Sequence, residues 1–367
     1  MWYGISSIIA RFLNYLLTPY LTATLLTSAY GEMSLVYALI PFLNIIFTYG
    51  LETAYFRFIQ KKERASDVYD TITVSLIIST ISFTILMLLF RQDLARLISL
   101  KEHPEYITWS AIIIAFDALT SISFAKLRQE GRPVKYASIR IAGILINIAV
   151  VVFFLSVCPA LLKKNENSPL LLLYNEKMGV GYVFIANMVQ SIVTFLLLWK
   201  EFFSFKWKFN ARLWKEIMVY SLPLIVAGFG GMINETFDRI MLGWWSTAPD
   251  PKTEVGIYSG CYKLSILITL FIQAFRLGAE PFFFKQAEGE NPQRVYARVM
   301  KFFVLVICLM FLVVALYLDV WKYFLSKPDY WTGLKVVPIL LLANMFLGIY
   351  YNLSVWYKLT NKTMAGA

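Results

Sequence analysis

The chain has 367 residues, of which 59% are hydrophobic, 17% aromatic and only 16% charged, with a net charge of +11 and a mean hydropathy of +0.62. A soluble domain carries roughly 25% charge, whereas here the apolar residues fall in runs of about 20, enough to cross a ~30 Å hydrocarbon layer as helix. These values exclude a water-soluble enzyme, and they place the basic excess in loops beside membrane spans rather than against nucleic acid.

Ten spans are predicted, over 4–26, 34–56, 69–90, 106–126, 137–157, 179–199, 217–245, 255–284, 297–318 and 334–357. The first carries Arg11 and is too long for the apolar core of a cleavable signal peptide; Pro19 is placed to kink it. Tyr37, Asn44, Thr48 and Glu52 make a polar stripe on the second, and Asp117 sits near the middle of the fourth. The longest connection, 158–178, is too short to hold a catalytic domain. In the seventh span Asn234, Glu235, Asp238 and Arg239 follow Gly228-Phe229-Gly230-Gly231, glycines close enough together to allow bending or close packing. Along the eighth, Tyr262, Thr269, Gln273, Arg276 and Glu280 share one helical face. That stripe runs for about 27 Å at the α-helical rise, nearly the whole hydrocarbon thickness, and Lys263 lies beside it.

The remaining chemistry-bearing residues are sparse. Cys158, Cys261 and Cys308 are isolated, so no disulfide framework is expected. The single histidine, His103, reads as a solvated loop residue. There is no P-loop and no clustered metal-ligand set, and no cofactor is expected. Trp199, Trp244, Trp245 and Trp356, at span ends, read as interfacial aromatics.

Lys and Arg give the orientation. Nineteen of the 34 fall in one set of loops and the tail, among them Arg57, Lys61, Lys62, Arg64, Arg128, Arg132, Lys135, Lys206, Lys358 and Lys362; ten fall in the alternate set. The richer set should be cytoplasmic, which puts both termini of the chain inside. Arg140 is expected to snorkel from a span end. Arg11, Arg239, Lys263 and Arg276 lie within spans. Arg11, Glu52, Arg276 and Glu280 fall in the cytoplasmic half, while Glu235, Asp238, Arg239 and Lys263 fall in the opposite half. Each costs at least ~2.5–3.5 kcal/mol at the membrane centre on insertion scales, so each should be paired or face water.

The second and eighth spans look alike. Gly31, Ser34, Tyr37 and Leu39 match Gly256, Ser259, Tyr262 and Leu264; further on, Gly50, Glu52 and Phe56 match Gly278, Glu280 and Phe284. A parallel repeat of six helices follows, which keeps both copies in one orientation. The expected architecture is therefore all-α: a polytopic transmembrane bundle of two six-helix lobes, 1–200 and 217–367, the second shortened to about four helices as in a truncated protein. Two readings of the buried charges stand side by side. One is a polar cavity between the lobes whose cations hold an anionic head group such as pyrophosphate and whose carboxylates gate it or bind coupling ions. The other is that Arg276–Glu280 and Glu235–Arg239 are i,i+4 ion pairs that only lower the cost of burial.

Asn234-Glu235-Thr236-Phe237-Asp238-Arg239-Ile240-Met241-Leu242 resembles the seventh-helix signature of bacterial polysaccharide-unit (O-antigen unit) flippases. Gly256-Ile257-Tyr258-Ser259, Tyr262-Lys263-Leu264-Ser265, Gln273-Ala274-Phe275-Arg276 and Glu280-Pro281-Phe282-Phe283-Phe284 resemble their eighth helix, particularly in Bacteroidetes-like bacteria. Tyr3-Gly4-Ile5-Ser6-Ser7 with Arg11, and Tyr30-Gly31-Glu32, are similar to the family's start. The resemblance spans the chain and places it in the multidrug/oligosaccharidyl-lipid/polysaccharide (MOP) superfamily, whose members have twelve or fourteen helices in two lobes.

It implies a flippase, not an enzyme, in the cytoplasmic (inner) membrane. Such a flippase moves an undecaprenyl-pyrophosphate-linked oligosaccharide between leaflets by alternating access for lipopolysaccharide and other surface polysaccharide biosynthesis, with membrane lipids and polysaccharide polymerase or assembly proteins as partners. Arg11 and Arg276 resemble, by helix and face, the cavity arginines of the related lipid II flippase. Arg239, Lys263 and Gln273 complete the expected substrate-binding set; Glu52, Asp117, Glu235, Asp238 and Glu280 are the expected coupling or gating groups. A cation-coupled drug exporter of the same superfamily is the alternative, opposed by four basic residues inside spans. A membrane glycosyltransferase would need carboxylates in a substantial loop, and Asp67 and Asp70 are the nearest approach. A non-transporting scaffold would leave both polar stripes without a role.

Overall fold

Helix begins where proline or a short polar side chain meets an apolar run, and it continues as long as the run does. The computed structural model describes residues 2–60, 65–163, 174–286 and 292–359. Lys61, Lys62, Arg64 and Lys362 lie outside the described residues, as do the side chains of Glu280, Trp356 and Lys358. In chain order the helices are α1 (Trp2–Thr24), α2 (Thr27–Thr48), α3 (Leu51–Phe58), α4 (Ala65–Leu89), α5 (Arg91–Leu97), α6 (Pro104–Gln129), α7 (Pro133–Val152), α8 (Cys158–Leu162), α9 (Gly181–Leu197), α10 (Trp199–Phe202), α11 (Ala211–Trp245), α12 (Pro251–Gln286), α13 (Pro292–Leu316), α14 (Leu318–Trp321) and α15 (Val337–Leu359). Prolines open α6, α7, α12 and α13, where the missing N–H costs nothing and the fixed φ suits a first turn. Asn210 caps α11 by accepting from the Leu213 N–H at 3.1 Å.

The described residues form an all-α, multi-pass membrane protein. Eight of its helical stretches are long and apolar enough to cross a membrane, and the shorter Gly181–Leu197 is apolar as well. Each of the ten predicted spans contains helix. Two differ in form from expectation. The second is interrupted: Tyr49 (φ 31°) and Gly50 (φ 74°) leave the right-handed region between α2 and α3. Glycine adopts that φ without the Cβ penalty, and a Cβ there would also stand 3.1 Å from the Ser221 carbonyl oxygen and 3.2 Å from Leu224 Cβ. The fifth runs on past residue 157, through a π turn at Phe153–Val157, into α8.

By packing the chain divides into two compact units, one of Met1–Thr27 with Gly256–Ala367 and one of Ser28–Val255. They group the first helix with the last ones, and α11 with the helices that precede it. In the larger unit α6 packs against both α4 and α9, and α9 against α7. One end of this unit is a core of Tyr49, Leu51, Tyr55, Tyr69, Ile72, Leu76, Ile122, Phe202, Phe205, Leu213 and Ile217, which ties α3, α4, α6, α10 and the start of α11 together.

The smaller unit is built on close approaches. A Cβ on Gly260 would meet the Tyr330 ring at 2.7 Å, one on Gly333 would meet Ile257 Cγ2 at 2.5 Å, and one on Gly348 would meet Ile272 Cδ1 at 2.7 Å. Tyr330 is completely buried. The end of α1 is held by Ser326, whose backbone N–H reaches Thr22 Oγ1 (3.3 Å) and whose hydroxyl donates to the Pro19 carbonyl (2.9 Å).

Candidate functional site

The polar stripe of α12 is set by the burial of its neighbouring face. Cys261, Leu264, Ser265, Ile268 and Ile272 are buried at helical spacing, so Tyr262, Lys263, Thr269, Gln273 and Arg276 are left half-buried beside them. The buried face is fastened to α15 by Asn344, which donates to Ser265 Oγ at 3.1 Å. Farther along the same interface, one turn on in α15 and two in α12, Gly348 lets α15 approach Ile272. Tyr351 is one turn beyond Gly348 and Arg276 one turn beyond Ile272, so the tyrosine ring comes to lie 4.3 Å from the Arg276 guanidinium carbon. A cation over an aromatic face keeps its charge while losing water, and the N–H edges of the guanidinium stay available to an anion. Arg11, on α1 in the same compact unit, is exposed.

The other candidate groups lie in the larger unit. Asp117, in the middle of α6, accepts from Ser191 Oγ at 2.8 Å. One turn away on α9, Asn187 donates to the Tyr37 hydroxyl at 3.1 Å. Glu52, in the first turn of α3, is paired with Arg128 of α6. On α11, Glu235 and Asn234 are exposed. Arg239 there donates to the Glu235 backbone carbonyl (3.1 Å) and pairs with Asp238 Oδ1 (3.6 Å), which also accepts from its backbone N–H (2.8 Å). The ion pair anticipated between the Glu235 and Arg239 side chains is thus replaced by these contacts. The geometry of Arg276 with Glu280 lies outside the described residues, because it needs the Glu280 side chain.

The expected residues therefore separate. Arg11, Lys263, Gln273 and Arg276 belong to the smaller unit; Glu52, Asp117, Glu235, Asp238 and Arg239 belong to the larger one. Tyr351, Ser191 and Arg128 were not singled out for these roles in the sequence. Tyr351 sits in an apolar run, and Arg128 counts there only toward loop charge. His103 is less solvated than a loop position suggests: Nδ1 lies 2.8 Å from Glu105 Oε1, Nε2 lies 3.9 Å from Glu32, and the ring stacks on Tyr106. Glu32 also takes Lys252, at 2.8 Å, from the first turn of α12. The glycines of α11 do not break that helix; Gly228 would bring a Cβ 3.2 Å from Ile45 Cδ1, while Gly230 and Gly231 face open space.

The all-helical, multi-pass fold of the described residues is one that a solved transporter shares. It is similar to a structure described as the inward-facing conformation of a multidrug resistance MATE family transporter of the MOP superfamily, with a TM-score of 0.71 and 15% identity over 97% of this chain and 82% of that one. At that identity the likeness concerns the fold. The family of polysaccharide biosynthesis proteins matches residues 1–286, and the chain belongs to it. No curated protein matches.

Proposed function

We propose that this chain is a flippase that moves an undecaprenyl-pyrophosphate-linked oligosaccharide unit across the cytoplasmic membrane by alternating access, for surface polysaccharide assembly. The observation that carries the reading is Arg276, a cation two-thirds of the way along a spanning helix, held on the Tyr351 ring with Gln273 one turn before it. A guanidinium matches pyrophosphate oxygens in a bidentate fork, and partial desolvation strengthens the pairing. Arg11 is the second candidate for the inward-open state; Arg239 and Lys263, expected toward the opposite face, would receive the anion there. Asp117, Glu235 and Asp238 are the candidate coupling groups, with Glu52 held by Arg128. The Lys/Arg-rich face is taken as cytoplasmic. The alternative, a cation-coupled drug exporter, draws its support from the exposed carboxylates Asp117 and Glu235.

Translocation of a fluorescent undecaprenyl-pyrophosphate oligosaccharide in proteoliposomes tests the reading. Arg276→Ala should lower transport by about ten-fold or more, since a charge-assisted hydrogen bond contributes about 1.5–3 kcal/mol, whereas Arg276→Lys should retain part of it. Equal rates for the native protein and Arg276→Ala, at equal insertion, would reduce Arg276 to a structural cation. Transport of lipophilic cations without the lipid-linked sugar would favour the exporter.

A further inference from the structure

From the end of α9 into the start of α11 the chain runs Leu198-Trp199-Lys200-Glu201-Phe202-Phe203-Ser204-Phe205-Lys206-Trp207-Lys208-Phe209-Asn210-Ala211-Arg212-Leu213-Trp214-Lys215. It is dense in aromatic and basic residues, and the structure sorts them. Phe202, Phe205 and Leu213 are buried in the core with Tyr69, Ile72 and Ile217. Trp199, Phe203, Trp207 and Phe209 are turned out, with Trp207 74% exposed. Lys200, Lys206, Lys208, Arg212 and Lys215 are exposed beside them.

This outward face is rigidly held rather than loose. The Tyr69 hydroxyl donates to the Glu201 carbonyl at 2.6 Å, the Lys206 N–H donates to Asp70 Oδ1 at 2.9 Å, and the Asn210 N–H donates to Thr71 Oγ1 at 3.3 Å. Lys126 reaches Ser204 Oγ at 2.5 Å. The outer rings Trp199 and Phe203 have centroids 4.0 Å apart, and Trp207 lies 5.1 Å from the buried Phe205 ring. Little acid balances the five cations. Glu201 is turned inward and taken by Arg132 (3.1 Å) and Lys135 (2.5 Å), and the next carboxylate, Glu216, stands just past the end of the segment.

The segment joins the end of one apolar helix to the start of a spanning one, so it lies at the membrane–water boundary on the Lys/Arg-rich side. Exposed indole and phenyl rings are stable there because one end of the ring meets hydrocarbon and the other the head-group layer. A clustered positive charge at the same depth attracts acidic lipid through the negative surface potential. We propose that Trp199–Lys215 is a preformed platform that selects acidic phospholipids from the leaflet it touches, the aromatic rings entering the acyl boundary and the five cations holding phosphate-bearing head groups. Its occupant is a bilayer lipid and not the transported sugar-lipid, because on α11 the candidate substrate residue Arg239 stands 24 residues beyond Lys215, about 36 Å at the α-helical rise. The inference stands whether or not the transport reading does.

The test uses the full chain in nanodiscs of zwitterionic phosphatidylcholine containing a minor fraction of brominated lipid, read by tryptophan fluorescence. Brominated phosphatidylglycerol should quench several-fold more per mole than brominated phosphatidylcholine, and the excess should shrink as salt is raised, because exposed charges are screened over a Debye length. Replacing Lys200, Lys206, Lys208, Arg212 and Lys215 with Gln should abolish the excess while basal quenching persists. Trp199→Phe with Trp207→Phe should remove it too, since these indoles report the site. Equal quenching by the two lipids in the native chain overturns the proposal, as does an excess that survives either set of substitutions in protein with native helix content.

Discussion

Glu201 shows how one side chain joins distant stretches of this chain. Burial alone would push its carboxyl up, but the hydrogen bond and charge of Lys135, with Arg132 beside it, outweigh burial and hold it below its ordinary value. A group depressed in the folded state contributes stability above its unfolded pKa and loses it as pH falls through the folded one. Glu201→Gln should therefore cost about 1.5–3 kcal/mol at neutral pH, the range for a charged hydrogen bond, and the difference in melting temperature from the native protein should close in acid. A difference that persists unchanged in acid would mean that shape rather than charge is at stake. The sequence shows Arg132 and Lys135 only as loop cations, because their partner lies 69 and 66 residues away. Arg276 is a contrasting case. Its place on a polar stripe follows from i, i+3 and i+4 spacing alone, but its aromatic partner depends on which helix packs where, and no local spacing encodes that.

At the level of helices, apolar run length was sufficient to place helix in every predicted span, and eight helical stretches reach the length and hydropathy that the bilayer sets. Interruptions were not legible. Gly50 and the closely spaced glycines of α11 look alike in sequence, yet the chain breaks at the first and runs straight through the others. The difference is tertiary: Ser221 and Leu224 crowd Gly50, while Gly230 and Gly231 meet nothing. The glycines that hold the smaller unit together, Gly260, Gly333 and Gly348, gave no signal at all, because each is needed only for the partner it meets. Gly260→Ala should lower stability by about 1–3 kcal/mol, the usual cost of overpacking a filled core; a thermal melt in detergent reads it. Gly230→Ala is the matched control, and it should be neutral or slightly stabilising, since alanine is the better helix former. Equal losses at both positions would contradict the packing described for Tyr330.

Taken whole, the molecule is a multi-pass helical protein of a polysaccharide biosynthesis family, and its charge distribution makes a claim about sidedness that can be checked directly. In a cysteine-free background, single cysteines at Lys208 or Arg132 should be reached by membrane-impermeant maleimide only from the cytoplasm, and one at Lys101 or Lys327 only from outside; the reverse pattern would invert the proposed direction of transport. The candidate residues were legible one by one as charges where lipid should be, but their division between two compact units was not, since α1 and α12 stand more than 200 residues apart in the chain. One feature of α11 reaches beyond transport. From Leu222 to Arg239 no residue of that helix is buried, although Phe42 and Ile45 of α2 touch it. A stretch so lightly covered by its own protein is where a foreign molecule displaces least on arriving. An added compound, a stray detergent or a substitution should therefore be felt first on this stretch of α11.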